Sequence, residues 1–128
     1  MKKKILIVVA SYYENIARSL LKSAKNKIKT KCSIKVINVP GAFEIPVTIG
    51  KNLNKFDGFI ALGCVIKGQT PHFDFISKAT TDALMTLSIT YKKPIGNGVI
   101  TCLNKKQAIA RCRKGSEAAE AVLSVISQ

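Results

Sequence analysis

The chain has 128 residues, 47% of them hydrophobic, and a formal net charge of +14. A chain of that size forms one domain, residues 1–128, that buries roughly two-thirds of the surface its unfolded form exposes, and no linker, repeat or low-complexity stretch divides it. No apolar run approaches the ~20 residues needed to cross a bilayer, which excludes a membrane helix, whereas the charge keeps nucleic acid open as a partner.

Met1-Lys2-Lys3-Lys4 followed by Ile5 to Ala10 has the outline of a signal peptide, but the apolar run is too short for one. It reads as a first strand covered on both faces of a parallel sheet, and the chain is expected to be cytoplasmic. Ser11 and Glu14 stand at capping-box spacing and predict a helix start between them. Ile16, Ala17, Leu20, Leu21, Ala24 and Ile28 then recur at helical spacing. Tyr12 and Tyr13 fall just past the first strand, where a ring either lines a crevice or packs at the helix entry.

Lys22, Lys25, Lys27, Lys29, Lys31 and Lys35 follow, with no aromatic between them to stack a base. Lysine carries nearly all the positive charge, with arginine only at Arg18, Arg111 and Arg113, whereas bidentate reading of phosphates and bases favours arginine. The pattern predicts a solvated basic face, with neither nucleic acid nor membrane as partner. Cys32, Cys64, Cys102 and Cys112 form no C-x-x-C pair and have no histidine partner, so reduced, mostly buried thiols and no metal are expected.

Ser33 to Val39 reads as a second strand with Ile34 and Val36 on one face. Val39-Pro40-Gly41-Ala42-Phe43-Glu44-Ile45-Pro46 is then a strand end, a turn and a helix start, with Pro46 near the first helical position and Ile45, Ile49 and Leu53 facing inward. Phe43 is either core or pocket wall. Glu44 either complements the helix dipole or meets a ligand.

Gly58 to Gly63 is a third apolar strand. It runs into Cys64-Val65-Ile66-Lys67-Gly68-Gln69-Thr70-Pro71-His72-Phe73-Asp74, after which Phe73, Ile76, Ala79, Ala83, Leu87 and Tyr91 predict a helix from about His72 to Tyr91. Gly68 to His72 thus lies where a strand end meets a helix N-terminus, a place suited to an anion such as phosphate. His72, the single histidine, is there either a helix cap or a general base.

Pro94 to Thr101 predicts a fourth strand, in which Gly96 and Gly98 would weaken the ladder unless another element approaches closely. Lys105 to Cys112 and Ser116 to Ser127 predict two terminal helices, the second with Ala118, Ala119, Val122, Leu123 and Ile126 inward. Arg111 and Lys114 lie at their junction. The alternation predicts an α/β fold, a three-layer αβα sandwich around a four-stranded parallel sheet of flavodoxin-like order 2-1-3-4. Ligands in such sheets sit beyond the carboxyl ends of the strands, where Tyr12, Phe43 and the turn from Gly68 to His72 all fall.

The V-P-G-A-F-E-I-P segment together with Ala61-Leu62-Gly63-x-Val65-Ile66-Lys67-Gly68-x-Thr70-x-His72-Phe73-Asp74 closely resembles the lumazine synthases of riboflavin biosynthesis, and the likeness runs from about Ile5 to the C-terminus. The resemblance implies a transferase that condenses 5-amino-6-(D-ribitylamino)uracil with 3,4-dihydroxy-2-butanone 4-phosphate, with no cofactor and no metal. It implies His72 as the catalytic residue, and Tyr12, Ala42, Phe43, Glu44, Val65, Ile66, Asn97 and Lys114 around the aminouracil and its ribityl chain. Gly68, Gln69, Thr70 and Arg111 would hold the phosphate. The family often has phenylalanine where this chain has Asn97, usually has asparagine at Tyr13, and has a longer loop between Arg111 and Lys114. It also implies a homo-oligomer built of pentamers, with Arg111 offered to a neighbouring subunit's site; an isolated or paired pentamer is expected here. Rival readings are a same-fold riboflavin synthase, a basic binding module, and a receiver domain, the last lacking its acidic cluster.

Overall fold

A computed structural model of the chain describes residues 2–128. Four strands, β1 (Lys3–Ala10), β2 (Cys32–Val39), β3 (Gly58–Ile66) and β4 (Ile95–Cys102), pair in parallel in the order β2-β1-β3-β4, as the sequence predicts. Between and after them run α1 (Glu14–Ile28), a single 3₁₀ turn (Ala42–Glu44), α2 (Ile45–Lys51), α3 (His72–Tyr91), α4 (Lys105–Ala110) and α5 (Lys114–Ile126).

The alternation of side chains along β1 divides the core. Ile5, Ile7 and Val9 face α1 and α5, where they meet Leu20, Ala24, Ala119 and Val122. Leu6, Val8 and Ala10 face the other way, with Ile45, Ile49 and Leu84. β1 is thus covered on both faces, and each of its fully buried Ile, Leu and Val side chains contributes about 1.5–3 kcal/mol of hydrophobic stabilisation. The crossover from β1 to β2 uses one face, and those through α2 and α3 use the other. The chain therefore reverses direction between β1 and β3, and the helices diverge there to leave a crevice at the strands' carboxyl ends.

The glycines of β4 have the close neighbour they require. A Cβ on Gly96 would lie 2.3 Å from the Ala118 carbonyl oxygen, and one on Gly98 would lie 2.5 Å from Leu62 Cδ2. Their bare backbone lets α5 lie directly on the strand.

Three local expectations are corrected. Ser11 does not cap α1; its backbone N–H and its hydroxyl both donate to the Val39 carbonyl, at 3.0 and 3.3 Å, tying the end of β1 to the end of β2. The inward stripe of α3 centres on Thr80 and Leu84, whereas Ala79 and Tyr91 face out. α3 carries apolar residues on two faces, and the sheet covers the one with Leu84. Finally, α4 ends at Ala110 and α5 begins at Lys114, so Arg111 to Arg113 form the turn between them.

Candidate active site

Three strand ends deliver their side chains to one crevice. The end of β1 brings Tyr12, the end of β2 leads to Ala42 and Phe43, and the end of β3 carries Val65 and Ile66 and then His72 at the start of α3. All six line a cavity of about 280 Å³. Tyr12 is 75% and Phe43 63% exposed, an unusual state for large rings beside a cleft and one suited to a flat partner. The Tyr12 ring is set edge-on against Tyr13, with centroids 4.9 Å apart.

The same cavity takes in residues that the sequence reading missed or ranked lower, namely Tyr13, Gly41, Cys64 and Ile76. Burial pushes the Tyr13 phenol up, with Tyr12 and Cys64 adding to the effect. It remains a neutral hydrogen-bonding group at neutral pH. Cys64 is pushed up to about 12, first by burial and then by the neighbouring Cys102 and Cys112. That makes it a poor nucleophile, and the wall it forms is chemically inert. A signal for Cys64 was present, since it shares a strand face with Ile66.

Glu44 stands beside this crevice with its carboxylate turned back on its own turn, accepting from the Gly41 N–H at 3.0 Å. Gly68, Gln69 and Thr70 form an exposed turn outside the cavity wall. Thr70 Oγ1 accepts from the His72 N–H at 3.4 Å, and the N–H groups of Asp74 and Phe75 turn back to the Pro71 carbonyl. The first turn of α3 is therefore partly self-satisfied.

A second, more polar cavity of about 570 Å³ opens at the end of β4, lined by Thr101, Ala110, Arg111, Arg113, Lys114 and Glu117 among others. Arg111 Nη1 donates to the Thr101 carbonyl at 3.1 Å, which holds the guanidinium against the strand. The sequence reading singled out Arg111 and Lys114 but not Arg113. Asn97, halfway along β4, is exposed, and its Oδ1 accepts from the Val99 N–H at 3.0 Å. The two cavities share no lining residue. The structure thus gathers Tyr12, Phe43 and His72 in one place and Arg111 and Arg113 in another.

Among the described residues no group of His, Cys, Asp and Glu side chains is arranged to hold a metal ion, and no helix is long and apolar enough to cross a membrane.

Proteins similar in sequence match nearly the whole of this chain. Two 6,7-dimethyl-8-ribityllumazine synthases, from Bartonella tribocorum and Agrobacterium fabrum, are each 43% identical to the chain; the first alignment covers 99% of it and 91% of the relative, the second 98% and 93%. A third, from Methylorubrum extorquens strain PA1, is 40% identical over 97% of the chain and 79% of its own length. The match to the family described as 6,7-dimethyl-8-ribityllumazine synthase spans residues 2–128, which takes in both cavities and every strand between them, and the chain belongs to that family.

Proposed function

We propose that the chain condenses 5-amino-6-(D-ribitylamino)uracil with 3,4-dihydroxy-2-butanone 4-phosphate, giving 6,7-dimethyl-8-ribityllumazine, phosphate and water. Family membership supports the activity. The observation that carries the reading to this chain's own residues is the convergence of Tyr12, Phe43 and His72 on one crevice.

The chemistry asks for little beyond placement and proton transfer. The free amine attacks the ketone and loses water to form an imine, phosphate leaves by β-elimination, and the ring closes as the ribitylamino nitrogen adds to the remaining carbonyl carbon and a second water leaves. Orientation of two bound reactants alone lowers such a barrier by roughly 7–11 kcal/mol. Tyr12 and Phe43 offer faces on which the pyrimidine stacks, with Ala42, Val65 and Ile66 as the apolar wall. His72, at the mouth, moves the protons, a role that adds about two to four decades of rate. Glu44 keeps one carboxylate oxygen for its turn and has the other for a ribityl hydroxyl, and Asn97 and Lys114 complete the contacts to that substrate. No cofactor or metal enters these steps.

The phosphate seat is assigned to Arg111 together with the Gly68-Gln69-Thr70 turn. Because the arginine cavity and the aromatic cavity are separate on one chain, a complete site joins the Arg111 side of one subunit to the His72 side of another. Such a heterologous contact closes into a ring, and the pentamer is the assembly proposed. The outward face of α3 supports association, with Phe75 68%, Met85 59% and Ile89 68% exposed along it. A cytoplasmic location is proposed with it.

The test is direct. Purified protein mixed with both substrates should develop the absorbance and fluorescence of a lumazine at a rate proportional to enzyme, and neither substrate alone should do so. A rate no higher than that without protein would end the reading.

A further inference from the structure

The cavity at the end of β4 holds one cation, Arg113, to which the function proposed above gives no role. Three of its lining side chains are positive, Arg111, Arg113 and Lys114, and one is negative, Glu117. Their environments differ. Arg111 is held by the Thr101 carbonyl, which occupies one of its five donors. Lys114 Nζ lies 3.9 Å from Glu117 Oε1, so it has a carboxylate beside it in the wall. Arg113 is exposed and has no ion-pair partner among the described residues.

From this asymmetry we infer that Arg113 is a second phosphate-binding residue, acting with Arg111 to hold the phosphate of the ketone substrate. The inference rests on the function proposed above and deepens it. A phosphate monoester carries about −1.5 to −2 charges at neutral pH. Two unanswered guanidinium groups match that charge, whereas Arg111 alone would leave about a third to a half of it uncompensated. Both arginines flank Cys112 in the turn between α4 and α5. Planar guanidinium groups bind phosphate oxygens in pairs, which a lysine ammonium does not reproduce. The first turn of α5, whose N-cap residue is Arg113, adds its helix dipole in the same sense.

The experiment compares Arg113→Gln, Arg113→Lys and Arg111→Gln in the full-length protein. KM is measured separately for the phosphorylated ketone and the aminouracil, together with inhibition by inorganic phosphate. Arg113→Gln should raise KM for the phosphorylated ketone roughly tenfold or more, the scale of one charge-assisted hydrogen bond. It should weaken phosphate inhibition by a similar factor and leave KM for the aminouracil unchanged. Arg113→Lys should recover only part of the loss. Unchanged constants, or both KM values rising together, would overturn the assignment even where Arg111→Gln behaves as a phosphate ligand. If the unmodified protein makes no lumazine, the proposed function falls separately. Calorimetric titration with phosphate then decides the seat: binding that Arg113→Gln weakens supports it, and binding that is absent or indifferent to the substitution overturns it.

Discussion

The Glu44 carboxylate accepts a hydrogen bond from the Gly41 N–H at 3.0 Å, so the turn that lifts Phe43 to the mouth of the crevice is closed by its own next residue. On sequence alone, Glu44 either complements the helix dipole or meets a ligand. Its position gives it a third task, closing the turn that carries Phe43. One oxygen is enough for that, and a glutamine carbonyl can replace it. Glu44→Gln should therefore keep the wild-type melting temperature. Glu44→Ala should lose about 1–3 kcal/mol, the cost of leaving the half-buried Gly41 N–H without a partner, and melt several degrees lower. Equal melting temperatures for the two variants in a thermal scan would show that the contact does not hold the turn.

Gly96 and Gly50 separate a required glycine from a replaceable one. A Cβ on Gly96 would meet the backbone oxygen of Ala118 at 2.3 Å, and backbone cannot rotate aside, whereas nothing lies within 4 Å of a Cβ on Gly50. Gly96→Ala should destabilise by about 3 kcal/mol or fail to fold, at or beyond the upper end of overpacking costs. Gly50→Ala, near the end of α2, should gain a few tenths of a kcal/mol, up to about 1, by helix propensity. Urea unfolding of the two variants checks both signs.

Much of this architecture was legible in the sequence because apolar runs bounded by glycine fix the strands and handedness restricts how they connect. The α3 boundaries were read as the structure has them, from His72 to Tyr91. Its inward face was not, because Phe75, Met85 and Ile89 give it a second apolar stripe that pattern alone cannot assign to sheet or surface. Ser11 looked like a cap because spacing reveals a possible partner and not a stronger competitor, here the Val39 carbonyl. Cys64 and Cys102, far apart in the chain, become neighbours because β3 and β4 pair in a register that sets Ile66 opposite Cys102. For the candidate site, residues just after β1, β2 and β3 were foreseeable from the strand order. Arg113 was not, since it stands out only once the fold sets Glu117 beside Lys114, holds Arg111 at the Thr101 carbonyl and leaves Arg113 in the same cavity with no ion-pair partner among the described residues.

Alkaline pH should weaken the fold partly through Cys64. Its thiol, ordinarily at 9.0, is pushed up to about 12, chiefly by burial. A raised value favours the neutral form in the folded protein, so the contribution is complete below pH 9 and is lost as pH climbs from 9 toward 12. Tyr13, Cys32 and Cys112 are shifted upward too, so the wild-type protein should soften through this range. Cys64→Ser removes one such group, and its urea midpoint, measured under reducing conditions at pH 8, 10 and 11, should fall less steeply than the wild type's. Parallel falls would remove Cys64 from the alkaline transition.

Separation of the His72 and Arg111 cavities makes the shared site testable without any further structure. His72→Ala alone should lower kcat by about two to four decades and leave a slow enzyme, because placement of the substrates survives. Arg111→Gln alone should act mainly on KM for the phosphorylated ketone. If each site takes its imidazole from one subunit and its arginine from the next, unfolding and refolding the two variants together creates some sites with both groups intact. In a randomly mixed ring, roughly a quarter of the junctions pair an unmodified His72 face with an unmodified Arg111 face. The mixture should then recover about a quarter of wild-type activity, well above the mean of the two variants refolded apart, when assayed at a ketone phosphate concentration too low to saturate Arg111→Gln. Activity equal to that mean would place both groups on the same subunit.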